Sequence, residues 1–119
     1  GAQHETGVGN VVNCPLAPMS GGRDMRAAWE GQILPALRAF APELIIVSAG
    51  FDAHVNDPLA NLNWLESDFR WVSDEICRVA AEVCGGRVVS ALEGGYDIEG
   101  LTEGLRAHLD ALVAHAEAA

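Results

Sequence analysis

Two short apolar runs constrain this chain more than any other feature of it. Leu44, Ile45, Ile46 and Val47 follow one another with no polar residue between them, and Arg87 to Leu92 (R-V-V-S-A-L) forms a second such run after a helical interval. Continuous β-branched runs, as opposed to alternating ones, suit strands covered on both faces, and such strands belong to parallel sheets whose crossovers are helices. The intervals fit. Asp24 supplies acidic charge to a first turn, and Met25, Trp29, Ile33, Leu37 and Phe40 recur every three or four residues on one face of a helix that runs to about Phe40. Pro35 is expected to bend or weaken it, and Ala41-Pro42 to close it.

Between the two runs, Glu66 or Ser67 caps a helix that carries Phe69, Val72, Ile76, Val79, Ala80 and Val83 inward and ends at Gly85-Gly86. After the second run, Gly94-Gly95 opens a tight loop, and Ile98 to Ala116 reads as an amphipathic helix with Leu101, Leu105, Leu109 and Leu112 in register. A further short strand is expected over Asn10 to Leu16, ended by Pro15, with Ala17 to Gly22 as loop. The order strand, helix, strand, helix, strand, helix predicts an α/β fold with a mainly parallel sheet covered on both faces. Its functional loops should lie beyond the carboxyl ends of the strands, at residues 50–65 and 93–97.

Composition narrows the function classes. A chain of 119 residues supports one domain with one core. The formal net charge is −10 and all seven basic residues are Arg, so a continuous basic surface able to grip phosphates is hard to build, and direct nucleic-acid binding is not expected. Cys14, Cys77 and Cys84 match no zinc-knuckle spacing and read as reduced thiols, which suggests a cytoplasmic protein. No apolar run approaches the ~20 residues of a membrane span, so no membrane partner is expected. Gly1 is an unlikely natural start, so the lack of a signal peptide carries little weight.

The first candidate loop reads A-G-F-D-A-H-V-N-D-P-L, and it brings Asp52, His54 and Asp57 to the carboxyl edge of the sheet. Carboxylate and imidazole are oxygen and nitrogen donors suited to zinc, and Pro58 would stiffen the backbone beside Asp57. The same residues also suit Asx-turns or a helix cap, and spacing alone does not choose between Asp52 and Asp57. The second loop reads E-G-G-Y-D and projects Tyr96, the chain's single tyrosine. Beside a metal, a tyrosine can donate a hydrogen bond to an oxyanion; elsewhere its tip simply bonds a backbone carbonyl.

Taken together, S-A-G-F-D-A-H-x-x-D-P-L and L-E-G-G-Y-D, with Tyr96 placed 39 residues after Asp57, closely resemble the C-terminal half of the histone deacetylase family. That family includes the acetoin-utilisation and acetylpolyamine amidohydrolase enzymes, and the likeness is to its class II and bacterial members in particular. The opening G-V-G-N-V-V-N-C-P-L resembles the family's strand before this helix, and the resemblance runs from Gly7 to Leu112. It implies a three-layer α/β/α fold of the arginase/deacetylase type, of which residues 1–119 form the C-terminal segment of a single domain.

By the family's pattern Asp57 is a zinc ligand, and Tyr96 is the catalytic residue that polarises the acyl carbonyl. Gly94 and Gly95 would line a narrow substrate tunnel. Trp64 falls where the family forms the pocket mouth, usually with a smaller aliphatic residue, which leaves the substrate's identity open. Asp52 takes a structural position bonding the loop backbone, and His54 a surface or rim position. The family's remaining zinc ligands, an Asp-x-His pair, and its two adjacent catalytic histidines have no counterpart in this sequence. The resemblance therefore implies zinc-dependent hydrolysis of an acetyl-lysine or acetylated polyamine by a longer polypeptide, with the present segment inactive alone. The alternative is a metal-free α/β binding or assembly module. In either case an unpaired sheet edge predicts self-association or pairing with the missing half.

Overall fold

The computed structural model describes residues 1–118. The elements run α1 (Gly22–Ala28), a π-helical turn (Trp29–Ile33), α2 (Leu34–Phe40), β1 (Ile45–Ala49), α3 (Glu66–Cys84), β2 (Val88–Leu92) and α4 (Ile98–Ala118). The first three form one continuous helix, and the π turn is how it absorbs Pro35. Proline has no N–H and its ring crowds the carbonyl four residues back, so the preceding turn widens, and Leu34 N–H reaches Trp29 O, five residues away. Ala41 then takes a left-handed conformation (φ +52°), and its N–H bonds to Leu37 O at 3.2 Å, closing the helix before Pro42.

β1 and β2 pair in parallel, with Ile45 opposite Val88 and Ala49 opposite Leu92, and α3 is the crossover between them. This is the parallel α/β arrangement read from the two apolar runs. The cap of α3 is not Glu66 or Ser67, which lie within its first turn, but Asp68 reaching back to accept the Leu65 N–H at 2.9 Å, and Gly85 (φ +62°) ends the helix. Phe69, Val72, Ile76, Val79 and Ala80 are buried as their spacing predicts. Met25 of α1, Ile45 of β1 and Val72, Ile76, Ala80 and Cys84 of α3 form the main core, with Trp29 and Leu37 packed against it.

Three further expectations are corrected. The strand predicted over Asn10 to Leu16 does not form: the sheet of the described residues has two strands, and residues 11–17 have no ladder partner within reach. The apolar runs are covered on one face only. Ile45 and Ala49 point into the core, but Ile46 and its neighbour Val89 are 70% and 54% exposed on the opposite face. Finally, α4 does not seat itself through its leucines. Its buried line is Gly100, Gly104, His108 and Ala111, with Leu101 and Leu105 on the flank and Leu109 exposed. A methyl group on Gly104 would stand 2.8 Å from Phe51 Cδ1, so the missing side chain is what lets the helix settle on the Phe51–Phe69 cluster.

His108, which the sequence reading passed over, joins this helix to the sheet. Ser73 Oγ donates to Phe69 O at 2.7 Å, which leaves His108 Nδ1–H to donate to Ser73 Oγ at 2.8 Å. Nε2 is then free to accept from Ser90 Oγ at 2.7 Å. Burial depresses the proton affinity of His108 below the ordinary imidazole value, so it is held neutral. Among the described residues no helix is long and apolar enough to cross a membrane.

Candidate active site

Both predicted loops leave the sheet at its carboxyl end, and backbone bonds lock them together. Glu93 N–H donates to Ala49 O at 2.9 Å and Phe51 N–H to Gly94 O at 2.8 Å, which carries the parallel ladder past the strands into the loops. Ser48 Oγ also bonds Glu93 Oε1. Gly94 is needed here for close approach: a Cβ on it would lie 2.8 Å from Asp52 Oδ1. The Asp52 carboxylate lies against the second loop, and among the described residues it makes no hydrogen bond to the loop backbone of the kind expected of it. Gly95 has φ +142°, a backbone state that side chains disfavour, and this turns the chain toward Tyr96.

Asp57 is 8% exposed and fully engaged by backbone donors. Its Oδ1 accepts Leu59 N–H at 2.9 Å, and its Oδ2 accepts Tyr96 N–H at 2.8 Å. Burial works to raise the proton affinity of this carboxyl, but the N–H groups of Leu59, Tyr96, Asp97 and Ala60 outweigh it, so the group lies below the ordinary carboxylate value and is ionised at neutral pH. The Tyr96 side chain, 59% exposed, stands free of any hydrogen-bond partner among the described residues. Asp97, next along, caps α4 by accepting Gly100 N–H at 2.8 Å. An aspartate immediately before a helix, accepting the amide three residues on, is an N-cap signal that was open to reading in the sequence.

The donor set is partial. An ionised carboxylate oxygen at the sheet's carboxyl edge is a hard ligand that suits zinc, and Asp57 fits as one ligand of several. Among the described residues no three His, Cys, Asp or Glu side chains come together as a group able to hold a metal.

His54 stands elsewhere than expected. His54, expected at the surface or rim, is 2% exposed. Its Nδ1 accepts Asn56 N–H at 3.1 Å, its Nε2 lies 3.1 Å from Glu66 Oε1, and its ring stacks on Phe69. Trp64 packs its ring against Phe69, with centroids 5.3 Å apart, and lines the cavity along β1, while its backbone pairs with the loop through Trp64 N–H to Ala53 O and Val55 N–H to Trp64 O.

Comparison with known proteins bears directly on these loops. Residues 1–112 match the histone deacetylase domain. The chain belongs to the histone deacetylase family. This deacetylase-family chain is 45% identical over 107 residues to histone deacetylase 14, chloroplastic, of Arabidopsis thaliana, covering 90% of the chain and 25% of that protein. It is 39% identical over 92 residues to the histone deacetylase-like amidohydrolase of Pseudomonas aeruginosa, covering 77% of the chain and 24% of that protein. The crystal structure of the HDA15 HD domain superposes with a TM-score of 0.77 at 30% identity, over 87% of this chain and 28% of that one. The fold is therefore of the α/β deacetylase type, and the chain spans about a quarter of the length of these relatives.

Proposed function

We propose that this deacetylase-family chain is the C-terminal segment of a zinc-dependent amidohydrolase domain that cleaves an N-acetyl amide, an acetylated lysine or polyamine, to acetate and a free amine. The observation that carries this reading is the 2.8 Å bond from Tyr96 N–H to Asp57 Oδ2, which sets a buried anionic oxygen donor beside an exposed phenol at the sheet's carboxyl edge. A bound zinc ion would supply Lewis acidity toward the acyl oxygen and toward water. Asp57 would be one of the residues holding that ion, through a carboxylate fixed by its backbone donors. Tyr96 donates a hydrogen bond to the acyl oxygen as negative charge builds on it, a contribution of roughly 3 kcal/mol by analogy with other oxyanion donors. Gly94 and Gly95, which the family's pattern places beside the acyl chain, let this loop close on Asp52 and Leu101 and so set the backbone that carries Tyr96. The proton of the attacking water goes to a base outside residues 1–119.

The same reading accounts for the exposed apolar surface. The outer edge of β1 is unpaired, and a cavity of about 390 Å³ lies along it, lined by consecutive residues from Ile45 to Gly50 and walled by Trp29, Ile33 and Leu37. Consecutive residues belong to alternate faces of a strand, so the cavity follows the strand's edge and has the form of a place for another strand. We assign it to the remainder of the domain, with a second copy of this chain as the substitute when the remainder is absent. Three free thiols, two of them buried, suit a reducing compartment such as the cytoplasm.

Assays of residues 1–119 against the longer polypeptide test this reading. The segment alone should show no deacetylase activity and no tight zinc binding by calorimetry, and the longer polypeptide should show both. Sub-micromolar, one-to-one zinc binding by the segment alone would contradict the division of the site, and a longer polypeptide inert toward acetyl-lysine peptide and acetylpolyamine alike would favour the binding-module alternative.

A further inference from the structure

His54 takes no part in the chemistry proposed above, yet it is among the most deeply buried side chains of the molecule. Its contacts point three ways. Within the loop, His54 O accepts Asp57 N–H at 2.9 Å, and Nδ1 accepts Asn56 N–H at 3.1 Å, so the turn carrying Asp57 is closed by the histidine's backbone and ring together. Because Nδ1 accepts, Nε2 carries the proton and donates to Glu66 Oε1 at the start of α3. On the remaining side the ring abuts α4 at Gly100, where a Cβ would lie 2.8 Å from His54 Cγ. Gly100 is itself held by Asp97, the residue after Tyr96.

We propose that His54 is a positioning residue: it clamps the turn of Asp57 between the starts of α3 and α4, and so fixes the distance between Asp57 and Tyr96. Its relevance to catalysis rests on the reading of those two residues given above, but the clamp itself does not. Burial of a ring is common and phenylalanine would serve it. What phenylalanine lacks is an acceptor toward the Asn56 amide and, on the far side of the same ring, a donor toward Glu66. Residues 50–65 form no helix or ladder strand, only the isolated pairings of His54 with Trp64 and of Asn63 with Gly21, and among the contacts of this loop those of the His54 ring are the ones that reach the starts of both α3 and α4.

The test needs neither metal nor substrate. Amide hydrogen exchange of residues 1–119 reports on the Tyr96 N–H, held by Asp57, and on the Glu93 N–H, held by Ala49 in the strand ladder. In His54→Asn, which keeps an acceptor near Asn56 but loses the reach to Glu66, the Tyr96 amide should exchange about tenfold faster relative to the Glu93 amide, the change expected when one charge-assisted hydrogen bond is loosened. His54→Ala, where it folds, should give a larger ratio. Glu66→Gln, which retains an acceptor for Nε2–H, should stay close to the parent value. His108→Asn, which weakens the core away from this turn, should speed both amides alike. A Tyr96-to-Glu93 ratio unchanged in His54→Asn, or one that moves equally in His108→Asn, would overturn the proposal and leave His54 a core filler. Because no turnover is measured, that result would leave the deacetylase reading standing, and failure of the deacetylase reading would leave the clamp intact.

Discussion

Tyr96 and Asp57 are joined by a 2.8 Å hydrogen bond from the tyrosine's backbone N–H to the aspartate's Oδ2, so the residue that presents the phenol also aims the carboxylate. With Leu59 N–H on Oδ1, both oxygens have a charge-assisted partner. Asp57→Asn replaces one acceptor oxygen with a donor that must face an N–H, and the buried amide loses its partner. The stability of residues 1–119 in urea should fall by about 2–3 kcal/mol. In the longer polypeptide the same variant should bind zinc more weakly and regain part of its activity when zinc is raised. Unchanged urea midpoints would contradict the dual role.

His108 gives the chain a defined pH response. Its folded-state proton affinity is depressed by burial below the ordinary value of 6.5, so between the two values the unfolded chain binds more protons. Acid therefore favours unfolding: the contribution is fully present above pH 6.5 and is lost as pH falls through that value toward the lower folded one. Urea unfolding followed from about pH 8 to pH 5 should show falling stability, with a shallower slope in His108→Gln. Equal slopes would mean that His108 accepts its proton in place.

Gly104→Ala tests how α4 is seated. Alanine is the better helix former by roughly 1 kcal/mol, but its methyl group would meet Phe51 Cδ1 at 2.8 Å, and overpacking of a closed core costs about 1–3 kcal/mol. The variant should lose about 1 kcal/mol in denaturant unfolding, on the balance of those two terms. A gain in stability would show that the helix stands off the Phe51–Phe69 cluster.

The elements that could be read from the sequence are those whose signal is local. The runs at Ile45–Ala49 and Val88–Leu92, the helical spacing of Phe69, Val72 and Ile76, and the Gly85 stop each carry their own instruction. The two loops were readable for the same reason, since short motifs name their residues. What failed depended on distant partners. Val11 and Val12 have strand chemistry, but a strand forms only against another, and none is within reach. The leucines of α4 form the obvious apolar stripe, yet the helix approaches its neighbours through Gly100 and Gly104, because close contact with His54 and Phe51 excludes side chains there. The burial of His54 is illegible locally for the same reason: it is produced by Gly100, far along the chain, and by Glu66 on another element.

The central claim is that Tyr96 contributes to the transition state and not to the architecture. Its backbone N–H does the structural work on Asp57, and its phenol is exposed without a partner, so Tyr96→Phe leaves every contact of the folded chain in place. The most direct measurement is the steady-state turnover of the longer polypeptide carrying Tyr96→Phe, on acetyl-lysine peptide and on acetylpolyamine, with zinc content determined on the same sample. The account predicts a kcat lower by about 10² to 10³ on the better substrate, with zinc content and thermal stability unchanged and no rescue by added zinc. Turnover equal to the parent's on both substrates, in a sample that hydrolyses either, would contradict it and reduce Tyr96 to the residue that holds Asp57.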